Sequence, residues 1–104
     1  QVTDLRSNIV RSACACIVIL SEELGDAFDR AFCTLFVSGL VKQTAVKALP
    51  IKLSAYECMM TVMSHRTIPP MIQPLVRESQ HKEKIIRQRV AEFLSYICDN
   101  WDVL

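Results

Sequence analysis

Apolar residues recur along this chain at helical spacing, in stretches set apart by short polar or proline-marked breaks. The first stretch, "DLRSNIVRSACACIVIL" (Asp4–Leu20), places Ile9, Ala13, Cys16, Ile17, Leu20 and Leu24 on one helix face. Asp4 stands where a side chain can accept from the free amides of a first turn, and Gly25 stops the helix. A second face, Phe28, Phe32, Leu35, Phe36 and Leu40, begins near Asp26, and the polar segment "KQTAVKA" reads as the loop after it. Pro50 suits the first turn of a third helix, whose stripe is Ile51, Ala55, Cys58, Met59 and Val62 and which "RTIPP" ends. Met71, Ile72, Leu75 and Val76 form a short fourth helix, with Pro74 marking a bend. After the loop "ESQHKEK" a fifth carries Ile86, Val90, Phe93, Leu94, Ile97 and Trp101. The spacing predicts helices over 4–24, 27–41, 49–65, 69–79 and 83–101. This is an all-α chain whose short connections make consecutive helices antiparallel neighbours.

The longest uninterrupted apolar run, Ala13–Leu20, holds eight residues, whereas a membrane span needs about 18 to 20. It reads as a buried helix. Within it Arg11 follows Val10, a figure repeated in "KIIRQRVAEFL" (Lys84–Leu94), where Arg87 follows Ile86. The two arginines are 76 residues apart, two units of 38, close to the roughly 40-residue period of two-helix HEAT-type repeats. The full offset carries Ile17 onto Phe93 and Val18 onto Leu94, but half of it carries Val10 onto Ala48, a poor match. On this reading the first, third and fifth helices are the second members of their pairs, so the chain opens in mid-repeat. One side of the first helix is then expected to stay apolar and exposed or to be covered by another copy, giving self-association through that helix. An arginine behind an aliphatic residue needs a carboxylate or carbonyl partner, and Arg11 and Arg87 are expected to tie neighbouring repeats together.

Composition narrows the function classes. The chain has 104 residues, 51% hydrophobic and 22% charged, too apolar for a disordered tail. Only Gly25 and Gly39 are glycines, too few for the tight turns of an all-β fold. A net charge of +1 provides no global field toward nucleic acid or an anionic membrane, so an electrostatic partner must be met by a local patch. The five cysteines lack a CxxC pair or a histidine at ligand spacing and read as reduced thiols in the core. Cys14 and Cys16 point about 200° apart on a helix and cannot share an ion there. No nucleophile, base and orienting group recur together, so neither enzyme chemistry, metal nor cofactor is expected. Met59, Met60 and Met63 read as core filling and Trp101 as a packing lid.

"DLRSNIVRSAC", "LGDAFD" and "IIRQRVAEFL" together resemble, in order and spacing, the tubulin-binding TOG domains of CLASP-type microtubule proteins. A TOG domain is about twice this length, so the resemblance covers its C-terminal half, with residues 1–104 forming a single unit of HEAT repeats. It implies a flattened helical array that meets tubulin or the microtubule lattice through the loops joining the helices of each pair. On this chain those loops are Thr3–Arg6, Val41–Lys47, and Ser79–Lys84 with the first turn of the last helix. Lys82 matches a family loop lysine, Arg87 and Arg89 match two of its arginine cluster, from which Gln88 departs, and Lys47 lies near another family lysine. The candidate contacts are therefore Arg6, Lys42, Lys47, Lys82, Lys84 and Arg89, in a non-catalytic module of the cytoplasm and cytoskeleton. The alternative is a HEAT scaffold that binds some other protein through a groove, without tubulin contacts.

Overall fold

The computed structural model describes residues 2–101, and side chains from Asn8 onward. The described residues form five helical rods and no strand: α1 (Val2–Glu23), a second rod made of α2 (Asp26–Ala31) and α3 (Val37–Gln43), α4 (Leu49–His65), α5 (Ile72–Glu78) and α6 (Lys84–Asn100). This is the all-α, HEAT-like architecture expected. The chain begins α1 at Val2, so Thr3–Arg6 is helical rather than a loop, and Asp4 lies inside the helix rather than at its start. Gly25, at φ +57°, makes the left-handed turn into α2, a conformation that a side chain would strain. Pro50 sits in the first turn of α4 and Pro69 in that of the 3₁₀ turn Pro69–Met71, where a missing N–H costs nothing. Pro74 lies in the first turn of α5 and begins a helix instead of bending one. No described helix is long and apolar enough to cross a membrane.

Neighbouring side chains fix the topology. Cys14 and Val18 face Cys58 and Thr61 across a groove between α1 and α4, while Tyr56 and Met60 face Ala91 and Tyr96 between α4 and α6. These three helices therefore run parallel in one layer. Ser38 Oγ donates to Glu78 Oε2 at 2.7 Å, placing α5 beside α3 in a second layer that runs the opposite way. Between the layers lie Phe32, Val37, Met59, Met63, Leu75 and Phe93, all buried, and the slab measures 46 × 34 × 21 Å. Burying side chains of this size contributes about 1.5–3 kcal/mol each relative to exposure.

The repeat is real but unequal. Val10, Ile51 and Ile86 share a register, as do Ile17, Cys58 and Phe93, at offsets of 41 and then 35 residues rather than 38 each. The rod of α2 and α3 is much longer than α5, which is why half the offset misaligned the middle unit. Arg11 and Arg87 do not join repeats. Arg11 is exposed and, among the described residues, donates to Asn8 Oδ1 of its own helix, and Arg87 is exposed at the α5–α6 loop. The strongest ion pair instead lies within one unit, where Arg66 grips Asp29 bidentately at 2.8 and 2.9 Å and joins the end of α4 to α2.

Two helix faces depart from their predicted stripes. In the second rod a π-helical turn, Phe32–Phe36, rotates the downstream face, so Val37, Leu40 and Val41 are buried while Leu35 is 68% exposed. Among the described side chains of α1, Cys14, Ile17 and Ser21 are buried, and much of the predicted stripe is outward: Ile9 is 60%, Leu20 41% and, just past the helix, Leu24 50% exposed. That leaves the apolar exposed side expected of the first helix. The stripes of α4 and α6 are buried as predicted, Met59 and Met63 fill the core, and Trp101 closes it by donating Nε1–H to the Met63 carbonyl at 2.9 Å.

The cysteines divide. Cys14 and Cys58 are buried, Cys33 is half-buried, and Cys16 and Cys98 are exposed, so the reading of all five as core thiols holds only in part. Cys58 Sγ lies 3.8 Å from the Cys14 carbonyl, holding α1 to α4, and burial pushes its thiol up to about 12. An acid held protonated in the fold but free to ionise when unfolded weakens the fold as pH rises. The unfolding free energy should be flat with respect to this group below pH 9.0, its ordinary value, and fall between there and about 12. Urea titrations across that window, with Cys58→Ala as the comparison, should show the steeper decline in the native chain. Removing the Arg66 side chain (Arg66→Ala) strands half-buried Asp29 and should cost roughly 2 kcal/mol. Asp29→Ala with Arg66→Ala should cost less than the sum of the two single changes, measured by thermal unfolding.

Candidate functional site

Because the layers run in opposite directions, both connections from the second layer back to the first, 44–48 and 79–83, emerge on the same edge. The N-terminal parts of α4 and α6 end there as well. Lys42 lies in the last turn of α3, Lys47 in the following loop, Lys82 in the α5–α6 loop and Lys84 at the first position of α6, all four exposed. One open groove carries Lys42 and Lys47 on one wall and His81 and Glu83 on the other, with Ile86 at its base. The two basic loops predicted from the sequence are thus neighbours in space. None of these lysines pairs with a carboxylate among the described residues. The side chain of Arg6 lies outside the described residues.

Local chemistry holds both loops in place. Thr44, fully buried, donates Oγ1–H to the Val41 carbonyl at 2.6 Å, reinforcing at the end of α3 the backbone N–H of Thr44, which reaches the same carbonyl at 3.2 Å. Arg89 reaches the Thr44 carbonyl through Nε at 3.4 Å, donates Nη1–H to Glu92 at 2.8 Å, and lies 5.9 Å from the Tyr56 ring centre. Its guanidinium is half-buried and spans α6, α4 and the α3–α4 loop. Arg89, predicted as a contact, thus also links α6 to α4 and to the α3–α4 loop. The second loop is fastened by the Glu83 N–H donating to His81 Nδ1 at 3.0 Å. Arg87 Nη1 donates to the His81 and Lys82 carbonyls at 2.7 and 3.0 Å, so Arg87 presents the Lys82 loop.

Sequence reasoning missed two residues of this edge. Lys52 occupies on α4 the register of Arg11 and Arg87, which the 41 and 35 offsets would have revealed and equal units of 38 concealed. His81 stands in the sequence only as one residue of the loop "ESQHKEK", and its acceptor role depends on the turn at Glu83. Among the described residues no three potential ligands gather to hold a metal. Arg87→Glu should speed amide exchange at Glu83 and its neighbours yet change the unfolding free energy by less than about 1 kcal/mol, as for an exposed site. Arg89→Glu places a carboxylate against Glu92 and the Thr44 carbonyl and should cost more, roughly 2 kcal/mol by denaturant unfolding.

No protein-family model matches the chain, and no solved structure is significantly similar to it. The sequence is 28% identical over 102 residues to a CLIP-associated protein of Arabidopsis thaliana, covering 97% of this chain and 7% of that protein. It is 29% identical over 103 residues to CLIP-associating protein 1-B of Xenopus laevis, covering 94% of this chain and 7% of that one. A Dictyostelium discoideum protein of uncharacterised function is 28% identical over 96 residues, covering 90% of this chain and 11% of the relative. The chain thus spans about a tenth or less of the length of these relatives, and the CLASP-type resemblance read from its three motifs extends to a region of similarity nearly as long as the chain itself.

Proposed function

We propose that this chain is a non-catalytic module that binds tubulin or the microtubule lattice through the edge bearing Lys42, Lys47, Lys82 and Lys84. The observation that carries the reading is the convergence of both basic loops on one groove, with none of the four ammonium groups paired to a carboxylate among the described residues. The similarity to CLIP-associating proteins and the CLASP-type motifs support it and favour tubulin, an acidic protein, as the partner. Arg87 and Arg89 hold the two loops in register, so that the lysines meet an acidic surface already ordered and little entropy is lost on docking. Such a module acts in the cytoplasm on the cytoskeleton, and its contribution is adhesion through a charged edge.

Exposed ion pairs contribute only about 0–1 kcal/mol each. A single Lys82→Glu substitution should weaken microtubule co-sedimentation of the full-length protein less than about fivefold, and Lys42, Lys47, Lys82 and Lys84 changed together to Glu should abolish it. Binding should also fall steeply as salt is raised. Circular dichroism of the fourfold variant should remain that of the wild type, because all four side chains are exposed. Wild-type co-sedimentation by that variant, or binding indifferent to salt, would favour a scaffold that recognises its partner through an apolar groove.

A further inference from the structure

The open groove between α4 and α6 pairs a tyrosine with a carboxylate at two places along its length. At the end nearer the lysine edge, the Tyr56 ring and the Glu92 carboxylate share one cation. The guanidinium carbon of Arg89 lies 5.9 Å from the ring centre, and its Nη1 reaches Glu92 at 2.8 Å. Further along α6, Tyr96 and Asp99 line the same groove. Steps of four and three carry Glu92, Tyr96 and Asp99 along one face of α6, while Tyr56 and Met60 stand four apart on α4. Here no cation is supplied. Asp99 is exposed and pairs with no basic side chain among the described residues. No lysine, arginine or histidine lines the groove, and the last turn of α6 contains none. That turn is the negative end of a long helix, which adds to the carboxylate in favouring positive charge.

We propose that this end of the groove is a docking site for an arginine-bearing basic segment of a partner protein, its guanidinium over Tyr96 and paired with Asp99 as Arg89 is with Tyr56 and Glu92. Arginine suits the site better than lysine, because a planar guanidinium can stack on the ring while its fork meets the carboxylate. Met60 and Ala91, also lining the groove, offer an apolar bed for the aliphatic stem. The site is opposite in sign to the lysine edge and independent of it. About 22 Å of helix separates Lys84 from Asp99, well beyond the screening length of about 8 Å at physiological salt, so the lysines do not cancel the charge of the groove. The chain can therefore hold an acidic partner at one end of α6 and a basic one at the other.

A hexa-arginine peptide carrying a terminal benzophenone, irradiated with the full-length protein, should cross-link to Met60 and its neighbours on α6, as located by mass spectrometry of the digest. The peptide concentration giving half-maximal cross-linking there should rise roughly fivefold in Tyr96→Leu and about threefold in Asp99→Asn. Asp99 is exposed, so the circular dichroism of Asp99→Asn should match the wild type. Hexalysine should cross-link more weakly than hexa-arginine, and Glu22→Gln with Glu23→Gln, at the end of α1, should change nothing. Absence of cross-links in the groove would overturn the proposal, as would cross-linking indifferent to Asp99→Asn, equal yields from the two peptides, or an equal loss in the α1 variant. Self-association that Asp99→Asn abolishes would also overturn it, by assigning the groove to the lysines of a second copy.

Discussion

A shift of one residue in the hydrogen-bond ladder at Phe32–Phe36 sets how the second rod meets everything around it. Upstream of that π turn, Phe28 and Phe32 face the core. Without it the continuing helix would carry Leu35 inward and Val37 and Val41 toward solvent. With it, Val37, Leu40, Val41 and Thr44 are buried, and the end of α3 is delivered against α4 and α6. Thr44 then caps the helix and offers its carbonyl to Arg89. The position of Lys42 and Lys47 at the edge is therefore a downstream consequence of a backbone detail within an aromatic cluster, in which the Phe28 and Phe32 rings stack at 5.1 Å.

The edge also illustrates how a charged surface can be ordered while its lysines stay unpaired among the described residues. Arginines and lysines divide the work. Planar, multidentate guanidinium groups suit fixed carbonyl and carboxylate partners, and Arg66, Arg87 and Arg89 are used that way. Ammonium groups on flexible stems are point charges without that fixed fork, and the four lysines of the edge stay exposed.

Much of this molecule is legible in its sequence. The number of rods, the absence of strands among the described residues and the buried stripes of α4 and α6 follow from periodicity, because a helix sandwiched by two neighbours must present one consistent apolar face. The two loops that carry the lysines, and the lid at Trp101, follow from the same pattern with its proline and polar breaks. Similarity to CLIP-associating proteins at 28–29% identity agrees with what the three motifs suggest.

Other features required the tertiary structure, for physical reasons that can be named. Periodicity cannot see a π turn, since the phase change looks like one misplaced apolar residue, and so Leu35 was assigned inward. It cannot distinguish an apolar stripe that is buried from one that merely adjoins a buried stripe, and in α1 both exist side by side, at Ile9–Leu20 and Cys14–Ile17. Nor can it choose partners for arginines, because a guanidinium on a long stem reaches whatever carbonyl or carboxylate the fold brings near. Position cannot show that Arg11 turns to its own helix, or that Arg66 reaches back 37 residues to Asp29. Helix content is written in local spacing; which faces remain open and which charges remain free is decided only when distant segments compete for the same neighbours.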